Sequence, residues 1–192
     1  MKGIDVSENN GIVDFESVKN AGFEFAMIRV GYGNGHLDEC FYRNVNEALR
    51  CGLQIGVYHY SYALNEERAR QESEFVVNTL NQCGLTPDKL LGVYFDMEDA
   101  DCYKERHGMP SWQTITNMCS IAVNRFWKDG YVAGIYANND WLDNYIDYEQ
   151  LGGCSLWLAE PYASEPRRKC NIWQYSFKEL INGQEFDANI LF

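Results

Sequence analysis

Short apolar runs rich in β-branched and aromatic residues recur along the whole chain, and this recurrence constrains its fold more than any other feature. Eight of these runs have the length and composition of strands: residues 2–6, 25–30, 54–60, 91–95, 132–136, 155–159, 171–174 and 185–189. Helix-like stretches lie between the first six, at residues 14–21, 38–51, 66–83, 111–129 and 140–150. The clearest is 111–129, where a helical repeat predicts one buried face made of Ile115, Met118, Cys119, Ala122 and Phe126.

Alternating strands and helices predict parallel strands joined by right-handed crossovers, and eight such strands can close into a barrel. Because only five helices are expected, the predicted fold class is α/β, a flattened and incomplete TIM-like barrel. An open doubly wound sheet is the alternative, but residues 31–35 lack the glycine spacing of a dinucleotide site and are interpreted as a flexible loop after the second strand. A length of 192 residues, 46% of them hydrophobic, favours a single domain spanning residues 1–192.

The charge is strongly acidic, with 16 Lys plus Arg against 28 Asp plus Glu and a net charge of −12. Such a chain repels nucleic acid and anionic membrane surfaces, so neither is expected as a partner. No secretory signal opens the chain and no segment approaches the ~20 apolar residues that cross a bilayer, so we expect a soluble protein without membrane insertion. The seven cysteines lie singly, and we expect buried free thiols.

Acidic residues follow the predicted strands at one end of the barrel. A hydrophobic strand runs directly into Asp96 and Glu98, whose side chains point the same way if the strand persists. Asp5 ends the first strand and Asp187 lies in the last, and barrel closure makes these two strands neighbours. Four carboxyl groups are therefore expected to converge at the carboxyl end of the strands, where active sites of parallel barrels lie.

Crowded carboxyl groups raise the pKa of at least one of them, which is what a proton donor near neutral pH requires, and Glu98 is the candidate. Two other interpretations of these four acids stay open. They could merely cap helices or solvate loops, or their carboxylates could bind a divalent cation. No H-x-H or H-E-x-x-H pattern accompanies the acids, so we predict neither a metal nor another cofactor.

Aromatic residues gather at or just beyond the predicted strand ends, where flat rings suit the apolar faces of sugars. The candidate substrate-binding residues are Tyr60, Tyr136 and Trp157, although ordinary packing would account for any one of them. His59 lies in a strand without a nucleophile-elbow motif elsewhere in the chain, so it is interpreted as a hydrogen-bonded structural residue. His36 and His107 lie in polar stretches and are expected to be solvated.

Several short motifs, in order from residue 3 to about residue 189, together resemble glycoside hydrolase family 25, the Chalaropsis-type lysozymes. These motifs are Gly3-Ile4-Asp5-Val6-Ser7, Phe41 with Asn44, Gly56-Val57-Tyr58-His59-Tyr60, Asp96-Met97-Glu98, Gly134-Ile135-Tyr136, Leu156-Trp157-Leu158-Ala159, Ile172-Trp173-Gln174-Tyr175 and Phe186-Asp187-Ala188-Asn189.

The resemblance implies a flattened barrel of eight strands and five helices. It also implies hydrolysis of the β-1,4 bond between N-acetylmuramic acid and N-acetylglucosamine in bacterial peptidoglycan, at the cell wall, outside the cell or after release from the cytoplasm of a phage-infected cell. We expect a monomer, since the enzyme must approach a polymer mesh. Glu98 would be the general acid, and Asp5, Asp96 and Asp187 match the remaining acids of the family site. A non-catalytic glycan-binding module on the same barrel is the alternative, since one fold hosts many functions.

Overall fold

The computed structural model describes residues 1–192 and is built on one sheet of nine strands. They are β1 Lys2–Val6, β2 Phe25–Tyr32, β3 His36–Leu37, β4 Gln54–Tyr60, β5 Leu90–Asp96, β6 Ala133–Asn138, β7 Ser155–Ala159, β8 Ile172–Ile181 and β9 Gln184–Leu191. The order is β1-β9-β8-β7-β6-β5-β4-β2-β3, and β1 also pairs with β2. Eight strands thus close into a ring with β3 outside it, which confirms the predicted α/β barrel.

Six helices surround the barrel: α1 Phe15–Asn20, α2 Phe41–Arg50, α3 Glu66–Cys83, α4 Tyr103–Arg106, α5 Trp112–Lys128 and α6 Asn139–Asn144. No helix follows β7, so the helical layer is incomplete, as predicted. The single helix expected at 140–150 is wrong, because α6 ends at Asn144 and a separate 3-10 turn covers Tyr148–Leu151. The short helix α4 was not predicted, since four residues are too few to show a helical repeat.

The prediction of parallel strands holds around most of the ring and fails at β9, which runs antiparallel to both β8 and β1. A two-residue turn causes this reversal: Asn182 and Gly183 have φ angles of 49° and 83°. Asn-Gly with two positive φ angles is a strong signal for a tight β-hairpin. The strands expected at 171–174 and 185–189 are therefore parts of one longer hairpin that runs from Ile172 to Leu191.

The glycines after β2 form a hairpin and not the expected flexible loop. Gly33 and Gly35 have φ angles of 53° and 83°, which lets the chain turn back at once. Tyr32 then pairs with His36 in the short strand β3, and their rings stack with centroids 5.3 Å apart. This turn is the reason that the sheet has nine strands and not eight.

Side chains of the barrel strands alternate between two cores. The larger core lies between the barrel and the helices and includes the predicted α5 face of Ile115, Met118, Cys119, Ala122 and Phe126, all of which are buried. The smaller core fills the barrel with Phe25, Met27, Tyr94, Tyr136, Trp157, Ala159 and Ile172. Because the interior is filled, a cavity of the barrel itself must lie at one of its two ends.

All seven cysteines are free, as expected, but only Cys119 and Cys154 are buried. Cys102 is exposed and the other four are partly buried, so the expectation of buried thiols is wrong for five of them. None of the helices has the length and apolar character needed to cross a membrane.

Candidate active site

The four predicted acids meet at one end of the barrel. Asp96 is the last residue of β5, Glu98 lies two residues beyond it, and Asp5 in β1 pairs directly with Asp187 in β9. All four line a single cavity of about 330 Å³. Barrel closure therefore brings the acids together as expected, while their individual roles stay predictions.

The predicted aromatic residues line the same cavity, together with Tyr58. Trp157 is only 1% exposed, because the rings of Tyr58, Tyr94 and Tyr136 pack around it with centroids 4.8 to 5.7 Å away. Tyr136 is also buried, whereas Tyr60 is partly exposed. Trp157 and Tyr136 thus form the floor, and Tyr60 presents more of its ring at the wall.

A chain of hydrogen bonds fixes Asp5 at this floor. Its Oδ2 accepts hydrogen bonds from Gln174 Nε2 at 2.9 Å and from Asn189 Nδ2 at 2.8 Å. Gln174 in turn accepts a hydrogen bond from Tyr136 Oη, and Asn189 accepts one from Trp157 Nε1, both at 2.8 Å. Burial raises the pKa of Asp5 to about 6, although these two amide donors act in the opposite direction.

Glu98 is partly exposed to the cavity and has the properties of a proton donor. Burial raises its pKa to about 7, and the negative charges of Asp5, Asp101 and Asp99 add to this effect, while Lys104 opposes it. A carboxylic acid with this pKa holds a proton below neutral pH and gives it up readily. Glu98 is therefore able to act as a general acid.

Asp96 lies deeper in the cavity and is 4% exposed. Burial, and then the charge of Glu98, raise its pKa well above the usual value. Its Oδ1 is buried and has no hydrogen-bond partner. A buried polar atom without a partner is costly, so this oxygen is suited to a polar group of a bound ligand.

Asp187 closes the acid cluster from β9. Its pKa is raised to about 8, chiefly by burial and then by the charges of Asp5 and Glu98. Gln174 Nε2 donates a hydrogen bond to its Oδ2 at 3.3 Å. At neutral pH the folded protein therefore favours the protonated form of the Asp187 carboxyl group, whereas the unfolded chain favours the ionised form.

Asp187→Asn is expected to stabilise the fold at alkaline pH. A carboxyl group whose pKa is raised in the folded state stabilises the fold fully below its unfolded pKa, and this contribution is lost as the pH rises toward about 8. Asparagine carries no charge and does not lose this contribution, so the free energy of unfolding of the variant should exceed that of the wild type at pH 8. The difference should be only about 1 kcal/mol, because solvent screens the partly exposed Asp187 carboxylate. The difference should disappear near pH 4. Urea unfolding at both pH values measures it, with the exposed Glu185→Gln on the same strand as control; an equal gain at both pH values would contradict the explanation.

The histidines take no part in the cavity. His59 is buried on the outer side of β4, its Nε2 lies 3.0 Å from the Gly33 carbonyl oxygen, and burial lowers its pKa to about 3. This confirms its interpretation as a structural residue. His36 and His107 are exposed, as expected. No group of three or more His, Cys, Asp or Glu side chains has the arrangement of a metal site.

The sequence did not predict several residues in or behind the site, among them Arg29, Gln174, Asn189 and Lys104. Arg29 lines the cavity and forms ion pairs with Asp38 at 2.8 Å and with Glu8 at 3.1 Å. The alternation of side chains along a strand indicates the positions of Asn189 and Gln174. Asn189 shares a face of β9 with Asp187, and Gln174 shares a face of β8 with Ile172, which lies inside the barrel. No comparable signal marks Lys104, which lies in the short helix α4.

Comparison with known proteins agrees with this geometry. The model of the family described as glycosyl hydrolases family 25 matches residues 4–184. The chain is 33% identical to lysozyme M1 of Streptomyces globisporus, covering 98% of this chain and 66% of that protein. It is 26% identical to an autolytic lysozyme of Clostridium acetobutylicum, covering 99% of this chain and 55% of that protein. The chain thus spans about half to two thirds of these curated relatives.

A solved structure of a family 25 glycosyl hydrolase from Bacillus anthracis has the same fold, with a TM-score of 0.86 at 21% identity, over 100% of this chain and 88% of that one. The family match covers nearly the whole barrel and includes Asp5, Asp96 and Glu98. The chain therefore belongs to glycosyl hydrolase family 25.

Proposed function

We propose that residues 1–192 form one catalytic domain, a muramidase that hydrolyses the β-1,4 bond between N-acetylmuramic acid and N-acetylglucosamine in peptidoglycan. The observation that carries this proposal is the cavity in which Glu98, with a pKa of about 7, lies beside three further acids and an aromatic floor. Membership of the family and the lysozyme names of two relatives support it. No cofactor is needed for this reaction.

Glu98 is assigned the role of general acid. Its proton goes to the glycosidic oxygen, which leaves as the 4-hydroxyl group of N-acetylglucosamine. The bond between that oxygen and C1 of the muramic acid residue breaks, and positive charge develops at C1. The neighbouring carboxylates stabilise this charge, since they line the same small cavity.

Asp96 is assigned the role of orienting the substrate's own N-acetyl group. Its unpartnered Oδ1 is placed to take up the amide N–H, and the acetyl oxygen then attacks C1 to form a cyclic intermediate. Water opens this intermediate and gives its proton to the Glu98 carboxylate, which retains the anomeric configuration. The competing mechanism, in which a carboxylate activates water on the opposite face, inverts it. Asp5 and Asp187 shape the charge of the site in either case.

The wall of the cavity continues into a cleft suited to further sugars of the same strand. Tyr60 borders both spaces, and Tyr62 packs edge-on against it with ring centroids 5.1 Å apart. Both are partly exposed, and aromatic rings of this kind pack against sugar faces. Tyr60, with Tyr136 and Trp157 beneath the reacting sugar, therefore forms the proposed substrate-binding surface.

The proposed setting is the bacterial cell wall, reached from outside or after release from the cytoplasm, and the proposed working form is a monomer. The net charge of −12 disfavours nucleic acid as a partner and offers no attraction to anionic wall polymers. Encounter with the substrate then depends on the shape of the cleft and not on long-range steering.

Digestion of purified peptidoglycan tests the proposal. The protein is expected to release soluble fragments whose new ends, after borohydride reduction, are identified by mass spectrometry as reduced muramic acid. Reduced N-acetylglucosamine at the new ends would reassign the bond. Glycan binding in a pull-down without any released fragment would instead favour the non-catalytic binding module.

A further inference from the structure

Lys104 carries a buried ammonium group at the back of the site. Its side chain is fully buried, and its Nζ donates hydrogen bonds to the main-chain carbonyl oxygens of Ser61, at 2.5 Å, and Glu98, at 2.7 Å. Ser61 directly follows β4, and Glu98 follows β5. The ammonium group therefore joins the ends of two neighbouring strands at the point where the proton donor leaves the sheet.

A turn after Glu98 leads into the short helix α4 and brings Lys104 back to Glu98. Strand β5 ends at Asp96, so no ladder hydrogen bonds hold Glu98 itself in the sheet. Asp99 turns the chain back, because its carboxylate accepts hydrogen bonds from the main-chain N–H groups of Lys104 at 2.7 Å and Glu105 at 2.9 Å. Lys104 then returns to the carbonyl group of Glu98 and closes the loop.

The charge of Lys104 is not neutralised by a direct partner. It takes part in none of the salt bridges of the structure, and its Nζ lies 5.8 Å from the ring centroids of Tyr60 and Trp141. Burial lowers the pKa of Lys104, whereas the carboxyl groups of Asp96, Glu72 and Asp99 oppose this. Lysine is rarely buried without such compensation.

We propose that Lys104 is a positioning residue for the proton donor, because its ammonium group fixes the main chain of Glu98 over the cavity. Its positive charge also lies close to Glu98 and Asp96 and favours the ionised forms of both carboxyl groups. The proposal rests on the proposed role of Glu98 as general acid. Lys104 does not line the cavity, so it acts through Glu98 and not on the substrate.

Lys104→Met tests this, because methionine has a similar length but neither charge nor donor. Since the charge of Lys104 favours the ionised form of Glu98, its removal should raise the pKa of Glu98 and move the alkaline limb of the kcat/KM profile up by about one pH unit. A displaced Glu98 should lower kcat about tenfold or more, with KM nearly unchanged. The exposed Lys128→Met on α5 is the control and should change neither quantity.

Other charged groups facing these two residues stay in place in the variant. Around Glu98 they are Asp5, Asp96, Asp99, Asp101 and Asp187, with the phenols of Tyr60 and Tyr136. Around Lys104 they also include Glu72 and Cys119. A second variant, Lys104→Gln, keeps an N–H donor without the charge; it should recover part of kcat but keep the shifted pH profile.

Titration of the Glu98 carboxyl carbon by ¹³C NMR gives a readout that does not depend on activity. If the wild type cleaves no peptidoglycan, the proposed function fails, but a raised Glu98 pKa in Lys104→Met still supports the action of Lys104 on that group. An unchanged Glu98 pKa and pH profile in a folded variant would overturn the proposal. Failure of both variants to fold, judged by circular dichroism, would also overturn it, because Lys104 would then serve the fold alone.

Discussion

Glu98→Gln is expected to lower kcat/KM on peptidoglycan about 10³-fold, the typical contribution of a well-placed general acid. Glutamine has nearly the same shape and still fills the partly exposed position at the cavity, but it cannot supply a proton to the leaving oxygen. Binding of the glycan strand should therefore change little, and the loss should fall on kcat. Release of reduced muramic acid ends over time measures the rate.

The pH dependence gives the same prediction an independent check. The pKa of Glu98 is raised to about 7, so the wild-type rate should fall as the pH rises through neutrality and the acid loses its proton. The residual rate of Glu98→Gln should lack this fall. Glu185→Gln, an exposed change on β9, is the matched control and should keep the full rate. A Glu98→Gln variant with more than a tenth of the wild-type rate would exclude Glu98 as the proton donor.

Local patterns were sufficient to predict the barrel and the meeting of its acids. Strand-helix alternation predicted a closed ring, and closure makes the strands of Asp5 and Asp187 neighbours, although these residues are far apart in the chain. The position of Asp96 and Glu98 directly after an apolar strand placed them at the same end. These inferences succeeded because they depend on strand periodicity and on closure of the ring, whereas the predicted parallel direction fails at β9.

Features that depend on long-range contacts were not predictable in this way. Lys104 resembles any lysine in a polar stretch, and only the folded loop shows that it reaches Ser61, which is distant in sequence. The buried state of Trp157 follows from three aromatic rings on different strands. The hairpin at Asn182 and Gly183 is a different case, because Asn-Gly is a local turn signal that the sequence itself contains.

Asp96→Asn is expected to lower kcat about 10²-fold, comparable to the loss of one well-placed group that stabilises charge in a transition state. Asparagine keeps an oxygen acceptor at the position of the unpartnered Oδ1, but it lacks the negative charge that is proposed to stabilise the N-acetyl group as its oxygen attacks C1 and the group becomes cationic. NMR of freshly formed product should show that the wild type retains the anomeric configuration.

Glycan strands with a free amine in place of that N-acetyl group separate the two mechanisms. Without the acetyl oxygen, the carboxylate of Asp96 has no N-acetyl group to orient, so the wild type should lose its higher kcat over the variant. Wild type and Asp96→Asn should then cleave these strands at similar rates. Two changes that remove the same interaction are not additive, which is the logic of a double-mutant cycle. If Asp96 instead activates water, the variant stays about 10²-fold slower on the modified strands and the first-formed anomer is inverted. A third outcome is retention of the anomeric configuration together with additive losses in rate from the substitution and from removal of the acetyl group. The acetyl group would then take part without Asp96, and another of the clustered acids would have to orient it.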